Sequence, residues 1–187
     1  MEAETILRDL SRRQLGRFIE GWHHRRETLG SHVHLYTFQE RVVGALILSP
    51  SMGLVLYEAG KKVAAHIVHY FNDWVKSQPG YHALADAENV EEANLSGEIM
   101  GFKIIYKSNG VGLVNVVEYQ KNKLIVVEVR ECADCFDMDN IGKAVCYSIG
   151  GNIAGTLEVA VGRELGFVES KCCAKGDAYC EFRYTLS

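Results

Sequence analysis

The sequence predicts a mixed α/β fold of the α+β kind, an antiparallel sheet with helices packed on it, and three stretches carry that expectation. Residues 55–75 hold the clearest helical period in the chain. Residues 113–130 hold two alternating stretches joined by Gln120-Lys121-Asn122-Lys123, and residues 166–185 hold a second pair joined by a Lys-Gly-Asp turn. At 187 residues the chain reads as one domain able to bury about 70% of its unfolded surface. Within it, residues 1–30 form an N-terminal helical segment and residues 31–187 a core, of which 146–187 is a distinct C-terminal region.

Composition narrows the class. Apolar residues make up 48% and charged residues 24%, the balance of an ordinary globular protein. The net charge of -4 argues against nucleic acid as a partner, which would call for a concentrated positive face. The basic group Arg12, Arg13, Arg17, Arg25 and Arg26 is interleaved with acids and reads as a solvated helix face. Met1 to Leu10 is charged and lacks the apolar core of a secretion signal, and no run reaches the roughly 18–20 apolar residues of a membrane span. Six cysteines in such a chain point to a reducing, cytoplasmic setting, with metal ligation or buried thiols rather than disulfides.

Taken in order, residues 2–27 place Ile6, Leu7, Leu10, Leu15, Phe18, Ile19 and Trp22 on one stripe of a helix broken near Ser11 and ended by Gly30. Val33-His34-Leu35-Tyr36 and Val42 to Ile47 read as two extended pieces, the second open to a helical reading. Ser49-Pro50-Ser51 opens a helix with Ser49 or Ser51 as cap. Its core stripe is expected at Leu56, Ala59, Val63, Ile67, Phe71 and Trp74, widened by Val55, Ala64, Val68 and Val75, and Pro79-Gly80 stops it. Residues 81–101 carry a weak helical pattern, a helix pair or a mobile lid.

Lys103 to Tyr106, Leu113 to Tyr119 and Leu124 to Arg130 alternate as strands, the last two as an antiparallel hairpin with Ile125, Val127 and Val129 on one face. Asp137 or Asp139 caps a helical region that runs to Gly162. Glycines at 142, 150, 151, 155 and 162 imply close approach of a backbone or a ligand, since each interior Gly costs about 1 kcal/mol against Ala. The final hairpin spans Gly166 to Cys173 and Tyr179 to Thr185.

Chemistry concentrates in that hairpin. Glu169, Cys172 and Cys180 can meet at one point, and zinc prefers four ligands drawn from Cys, His and carboxylate. The fourth has to come from Cys132, Cys135, Cys146 or Cys173. Cys132-Ala133-Asp134-Cys135 is half of a metal site or a redox pair, and with Cys172 and Cys180 it forms a rival tetrahedral set. It lacks the βαβ setting of a thioredoxin-like motif. Cys173 alternates with Cys172 and reads as a core thiol. His32 with His34 and His66 with His69 read as structural. Lys107 to Gly112 lacks the spacing of a nucleotide loop, and neither a G-x-S-x-G elbow nor a flavin or nicotinamide fingerprint is present.

The run from Cys146 (Cys-Tyr-Ser-Ile-Gly-Gly-Asn-Ile-Ala-Gly) through Glu169-Ser170-Lys171-Cys172 and Gly176-Asp177 to Cys180-Glu181-Phe182 resembles the signature of the 4-vinyl-reductase (hydrocarbon-binding) domain family. The resemblance is strong over the last 60 residues or so, and collinear back to Tyr57-Glu58-Ala59-Gly60-Lys61. It implies a fold similar to the vesicle-tethering TRAPP subunits, of the ligand-binding class found in NO-signalling and Golgi-transport proteins, with a buried apolar pocket. In the phenol- and xylene-responsive members three Cys and one Glu hold zinc, and Cys146, Glu169, Cys172 and Cys180 match all four positions. That site implies a structural clasp. Where the phenol sensors place a ligand-contacting His and Trp, this chain has Met100 and Cys132, so those contacts do not carry over. The pocket lining expected here is Trp74, Phe102, Cys132 and Phe167.

The resemblance implies a homodimeric sensor or carrier for a small hydrophobic molecule (an aromatic, a lipid or a tetrapyrrole) that signals through a protein partner. An accessory or enzymatic role in (bacterio)chlorophyll or tetrapyrrole metabolism, and a TRAPP-like assembly role, are the alternatives. A binding protein is favoured over an enzyme, because a reductase needs a hydride donor.

Overall fold

The computed structural model describes residues 49–77 and 81–186, together with Gln39, Gly44 and Leu46. The helix expected over 2–27 and the extended piece 33–36 lie outside the described residues. Within 42–47, Gly44 and Leu46 are helical, the second of the two readings open for that piece.

Four helices and four strands are ordered α1 (Met52–Lys76), α2 (Val90–Leu95), α3 (Gly97–Ser108), β1 (Leu113–Gln120), β2 (Leu124–Arg130), α4 (Tyr147–Val161), β3 (Leu165–Lys171) and β4 (Cys180–Leu186). Both expected hairpins form. The sheet is antiparallel throughout, in the order β1-β2-β4-β3, so the C-terminal strand sits at its centre. Register explains the buried face. Ile125 pairs with Tyr184, Val127 with Phe182 and Val129 with Cys180, and all six are fully buried. Phe167 and Glu169 extend two of these rows onto β3. A shift between Glu169 and Lys171 leaves Ser170 unpaired, and such bulges re-aim side chains beside functional sites.

Helix α4 packs on this face, and α1 packs on α4 in the most extensive contact of the fold. Glycine makes that contact possible: a Cβ at Gly151 would overlap the Tyr57 carbonyl, one at Gly155 the Lys61 carbonyl, and one at Gly60 the Ser148 carbonyl. The stripe expected at the core of α1 is corrected by this contact. The buried side is Gly53, Tyr57, Gly60, Ala64, Val68 and Val75, while Val63 is 54% exposed, Phe71 41% and Trp74 46%. Backbones that touch need small side chains between them, so the Gly/Ala stripe wins over the larger apolar one. Ser51 stands at the N-cap without a side-chain cap bond, and the helix ends at Lys76, before Pro79-Gly80.

Three further expectations are corrected. Lys103 to Tyr106 is helical within α3, where Ile99, Phe102 and Tyr106 are buried at helical spacing; a four-residue alternation is too short to identify a strand. Residues 81–101 form a helix pair rather than a lid, with Leu84, Ala87 and Ala93 fully buried. The helix ending at Gly162 begins at Tyr147 and not near Asp137. Asp137 has φ 58°, incompatible with the extended N-cap conformation. Gly162 closes α4 in the left-handed conformation at φ 72°.

Candidate functional site

The end of the buried sheet face and the start of α4 bring thiols together. Cys180 is the first residue of β4, and Cys146 is the N-cap of α4. Cys172 leads into a short turn at Cys173–Lys175. That turn folds around Cys172: its carbonyl accepts from Lys175 and Asp177, and its own N–H donates to Asp177 Oδ2 at 2.9 Å. Gly176 supports it at φ 91°. Cys132-Ala133-Asp134-Cys135 makes a similar knuckle, in which the Cys132 carbonyl accepts from Cys135 and Phe136. The N–H of Ile141 donates to the Ala174 carbonyl and joins the two knuckles.

Ligand atoms fall in two tetrads. Cys146, Glu169, Cys172 and Cys180 form one and Cys132, Cys135, Cys146 and Cys180 the other, the atoms of each lying within 4.8 Å of one another. Sγ separations are 3.7 Å for Cys146 to Cys172, 3.6 Å for Cys146 to Cys180, 3.5 Å for Cys132 to Cys146 and 3.2 Å for Cys135 to Cys180. A tetrahedral zinc with bonds of about 2.3 Å sets sulfurs about 3.8 Å apart, so the chamber has the right size. Glu169 Oε2 accepts from the Cys146 N–H at 3.1 Å, whereas its Oε1 is buried with no hydrogen-bond partner. That orphaned oxygen among thiols suits a cation.

The electrostatics agree. Burial, with the negative Cys172 and Cys180 nearby, pushes the Glu169 carboxyl up to about 10. Burial raises the Cys132 and Cys146 thiols, while donors from Cys132, Cys135, Cys146 and Cys172 lower Cys180. Cys172 drops to about 6 under donors from Cys135 and Cys146. These groups cannot all ionise side by side without positive charge, which a dication supplies. Asp134 is also buried, with an unpartnered Oδ2, and burial raises it to about 7.

All four residues expected as zinc ligands are thus brought together. Cys132 and Cys135 join them, but with Cys146 rather than with the Cys172 of the rival set. Cys173 is only half-buried at the edge of the core. His66 and His69 are exposed on α1, and no histidine belongs to either tetrad.

The residues expected to line a pocket do not surround one cavity. Phe102 lines a cavity of about 40 Å³ between α1 and α3, with Ala64, Ile67, Val68, Phe71 and Val75. Trp74 is half-exposed at its margin, its ring 3.8 Å from where a Gly101 Cβ would be. Cys132 belongs to the thiol chamber, and Phe167 stacks on Tyr57 with ring centroids 4.5 Å apart. Sequence reasoning missed Glu98 and Tyr106, which line the same cavity and carry a buried, unpartnered carboxylate oxygen and hydroxyl. Reading residues 97–108 as one helix would have put positions 98, 102, 105 and 106 on one face.

The fold and site define an α+β domain whose last helix and last hairpin meet at a buried thiol chamber. A family model for the 4-vinyl-reductase domain matches residues 125–186, spanning β2 through β4 and every cysteine. An uncharacterized protein of Methanocaldococcus jannaschii is 30% identical over 155 residues, 83% of this chain and 77% of that protein. A second protein of that organism, also uncharacterized, is 32% identical over 81 residues, 43% of this chain and 42% of its own length. The chain belongs to the 4-vinyl-reductase domain family.

Among solved structures, a trafficking protein particle complex subunit 3 from Naegleria fowleri, covalently bound to palmitic acid, superposes with a TM-score of 0.57 at 22% identity, covering 82% of this chain and 92% of that one. The phenol-responsive sensory domain of the transcription activator PoxR, with phenol, gives 0.56 at 13% identity, covering 80% and 71%. Both likenesses establish the TRAPP-like fold. No helix among the described residues is long and apolar enough to cross a membrane.

Proposed function

We propose that this chain is a small-hydrophobic-molecule-binding domain, a sensor or carrier, with zinc on Cys146, Glu169, Cys172 and Cys180 as a structural clasp. The observation that carries the reading is the α1/α3 cavity: an apolar lining with a few polar groups, Glu98, Tyr106 and Asn152, is the usual make-up of a small-molecule site. The solved relatives support it, one holding phenol and the other a palmitoyl chain. Glu98 Oε2 and the Tyr106 hydroxyl, both unpartnered, favour an apolar ligand that carries one hydrogen-bonding head group.

At about 40 Å³ the cavity is well below the ~150 Å³ that accommodates benzene. Binding therefore requires Phe71 and Trp74, both partly exposed, to swing outward. Asn152 on α4 lines the same cavity, and α4 begins at the zinc ligand Cys146. Ligand entry would thus move α1 against a helix whose start is anchored by metal. Three thiolates and a carboxylate fill a tetrahedral zinc and leave no position for a reactive water, which fits a clasp rather than a catalyst.

The exposed apolar side chains of α1, Val63, Tyr70 and Trp74 among them, offer a face for the homodimer or protein partner through which occupancy would be read. The test is a fluorescent dye displaced by a homologous series of alkyl phenols and alkanols. Each buried CH₂ is worth about 0.8 kcal/mol, so affinity should rise about fourfold per carbon until the cavity fills. A flat series, unchanged in Ala64→Leu, would refute pocket binding.

A further inference from the structure

The clasp uses four ligands, yet the chamber contains six. Cys132 and Cys135 are fully buried, and neither belongs to the Glu169 tetrad. Their Sγ atoms lie 3.5 Å from Cys146 and 3.2 Å from Cys180, inside the spacing of sulfurs on one tetrahedral metal. The two tetrads have Cys146 and Cys180 in common, and those two sulfurs are 3.6 Å apart. Two tetrahedra joined through a shared edge have this arrangement: two bridging thiolates and two terminal ligands on each side.

We infer that the chamber is a binuclear site for thiophilic dications, in which Cys146 and Cys180 bridge two zinc ions, Cys132 and Cys135 complete the first, and Glu169 and Cys172 complete the second. The inference rests on the clasp reading for the second ion and adds the first.

Three features support it. Each terminal pair comes from its own knuckle, the Cys132 turn on one side and the Cys172 turn on the other, while the bridging residues come from the rigid start of α4 and the central strand β4. Six anionic ligands against two dications leave a charge of -2, and the chamber faces the positive N-terminal end of α4. Glu169 Oε1, buried and unpartnered, marks the oxygen corner, which distinguishes the two metals: one all-sulfur, one three-sulfur and one oxygen.

The simpler arrangement has one zinc in the Glu169 tetrad, with the Cys132 and Cys135 thiols donating S–H bonds to bound thiolates. The two differ in stoichiometry. The full chain, stripped of metal and reduced, is titrated anaerobically with cobalt(II), following the thiolate-to-metal charge-transfer absorption and the electron paramagnetic resonance signal. The binuclear site predicts a break at two equivalents, with the resonance signal of the first ion quenched as the second couples to it through the shared sulfurs. Cys132→Ser/Cys135→Ser should then break at one equivalent and keep an unquenched signal.

A wild-type break at one equivalent, with no quenching, would overturn the second metal and leave the clasp standing. No binding at all would remove both. The wild-type signal decides even if the double variant fails to fold.

Discussion

The backbone carbonyl of Tyr57 on α1 rests against the bare α-carbon of Gly151 on α4, so the two helices meet at backbone distance. Adding a methyl there must push α1 away. Overpacking of this kind typically costs about 1–3 kcal/mol, partly offset by the better helix propensity of Ala. Gly151→Ala is therefore expected to lower the thermal midpoint and to disturb the stack of Tyr57 on Phe167, visible in near-ultraviolet circular dichroism. Gly162→Ala differs in kind: nothing lies near its α-carbon, so only the backbone strain of a left-handed residue applies, about 1–2 kcal/mol, and the aromatic signal should not change.

The Tyr184 hydroxyl is fully buried and donates to the Gly150 carbonyl at 2.8 Å, linking the central strand to α4. Tyr184→Phe removes that bond and little volume. The expected loss is about 1 kcal/mol, or about 2–4 °C in the midpoint for a chain of this length, measured by thermal denaturation of both proteins with metal bound.

Metal removal should act on the C-terminal half. Zinc present at about 1,000 times its dissociation constant adds about 4 kcal/mol, on the order of 10 °C for this chain length. Chelation is expected to remove that increment from the wild type and to leave Cys180→Ser unaffected. Because the ligand thiols and carboxyl must be deprotonated to bind, the stabilisation is present at neutral pH and is lost as the pH falls. Thermal scans with and without chelator at several pH values show whether the difference closes in acid.

The cavity makes a separate prediction. Ala64 is almost fully buried and lines it, so Ala64→Leu should weaken hydrophobic ligands at least tenfold while leaving zinc content unchanged. Phe71→Ala widens the entrance and should favour larger rings. Glu98→Gln keeps the volume and changes the polar partner, so it should alter the preference among head groups more than the dependence on chain length. Dye displacement by matched phenol, alcohol and alkane ligands reads all three.

What the sequence revealed follows from how local each signal was. The hairpins were legible because alternation and a polar turn are short-range features, and the zinc ligands of β3 and β4 because Glu169, Cys172 and Cys180 lie on one hairpin. The inward face of α1 was not, since the decision belongs to Gly150, Gly151 and Gly155 on α4, nearly a hundred residues away; hydrophobicity alone ranks Val63 and Phe71 above Gly60. The start of α4 was obscured for a related reason. Residues 131–146 are shaped by knuckles around thiols rather than by helix propensity, and Asp137 caps nothing there. The role of Cys132 and Cys135 depends on the loop that returns them to Cys146 and Cys180, which spacing alone does not encode.

A metal clasp and an apolar ligand held together in one chain can be read at once by native mass spectrometry of freshly purified full-length protein. The expected spectrum shows a chain mass carrying zinc, shifted further by a non-covalent apolar adduct that solvent extraction removes, with the zinc lost in Cys180→Ser. A metal-free wild type, with no adduct and no loss of stability under chelator, would contradict both the clasp and the pocket.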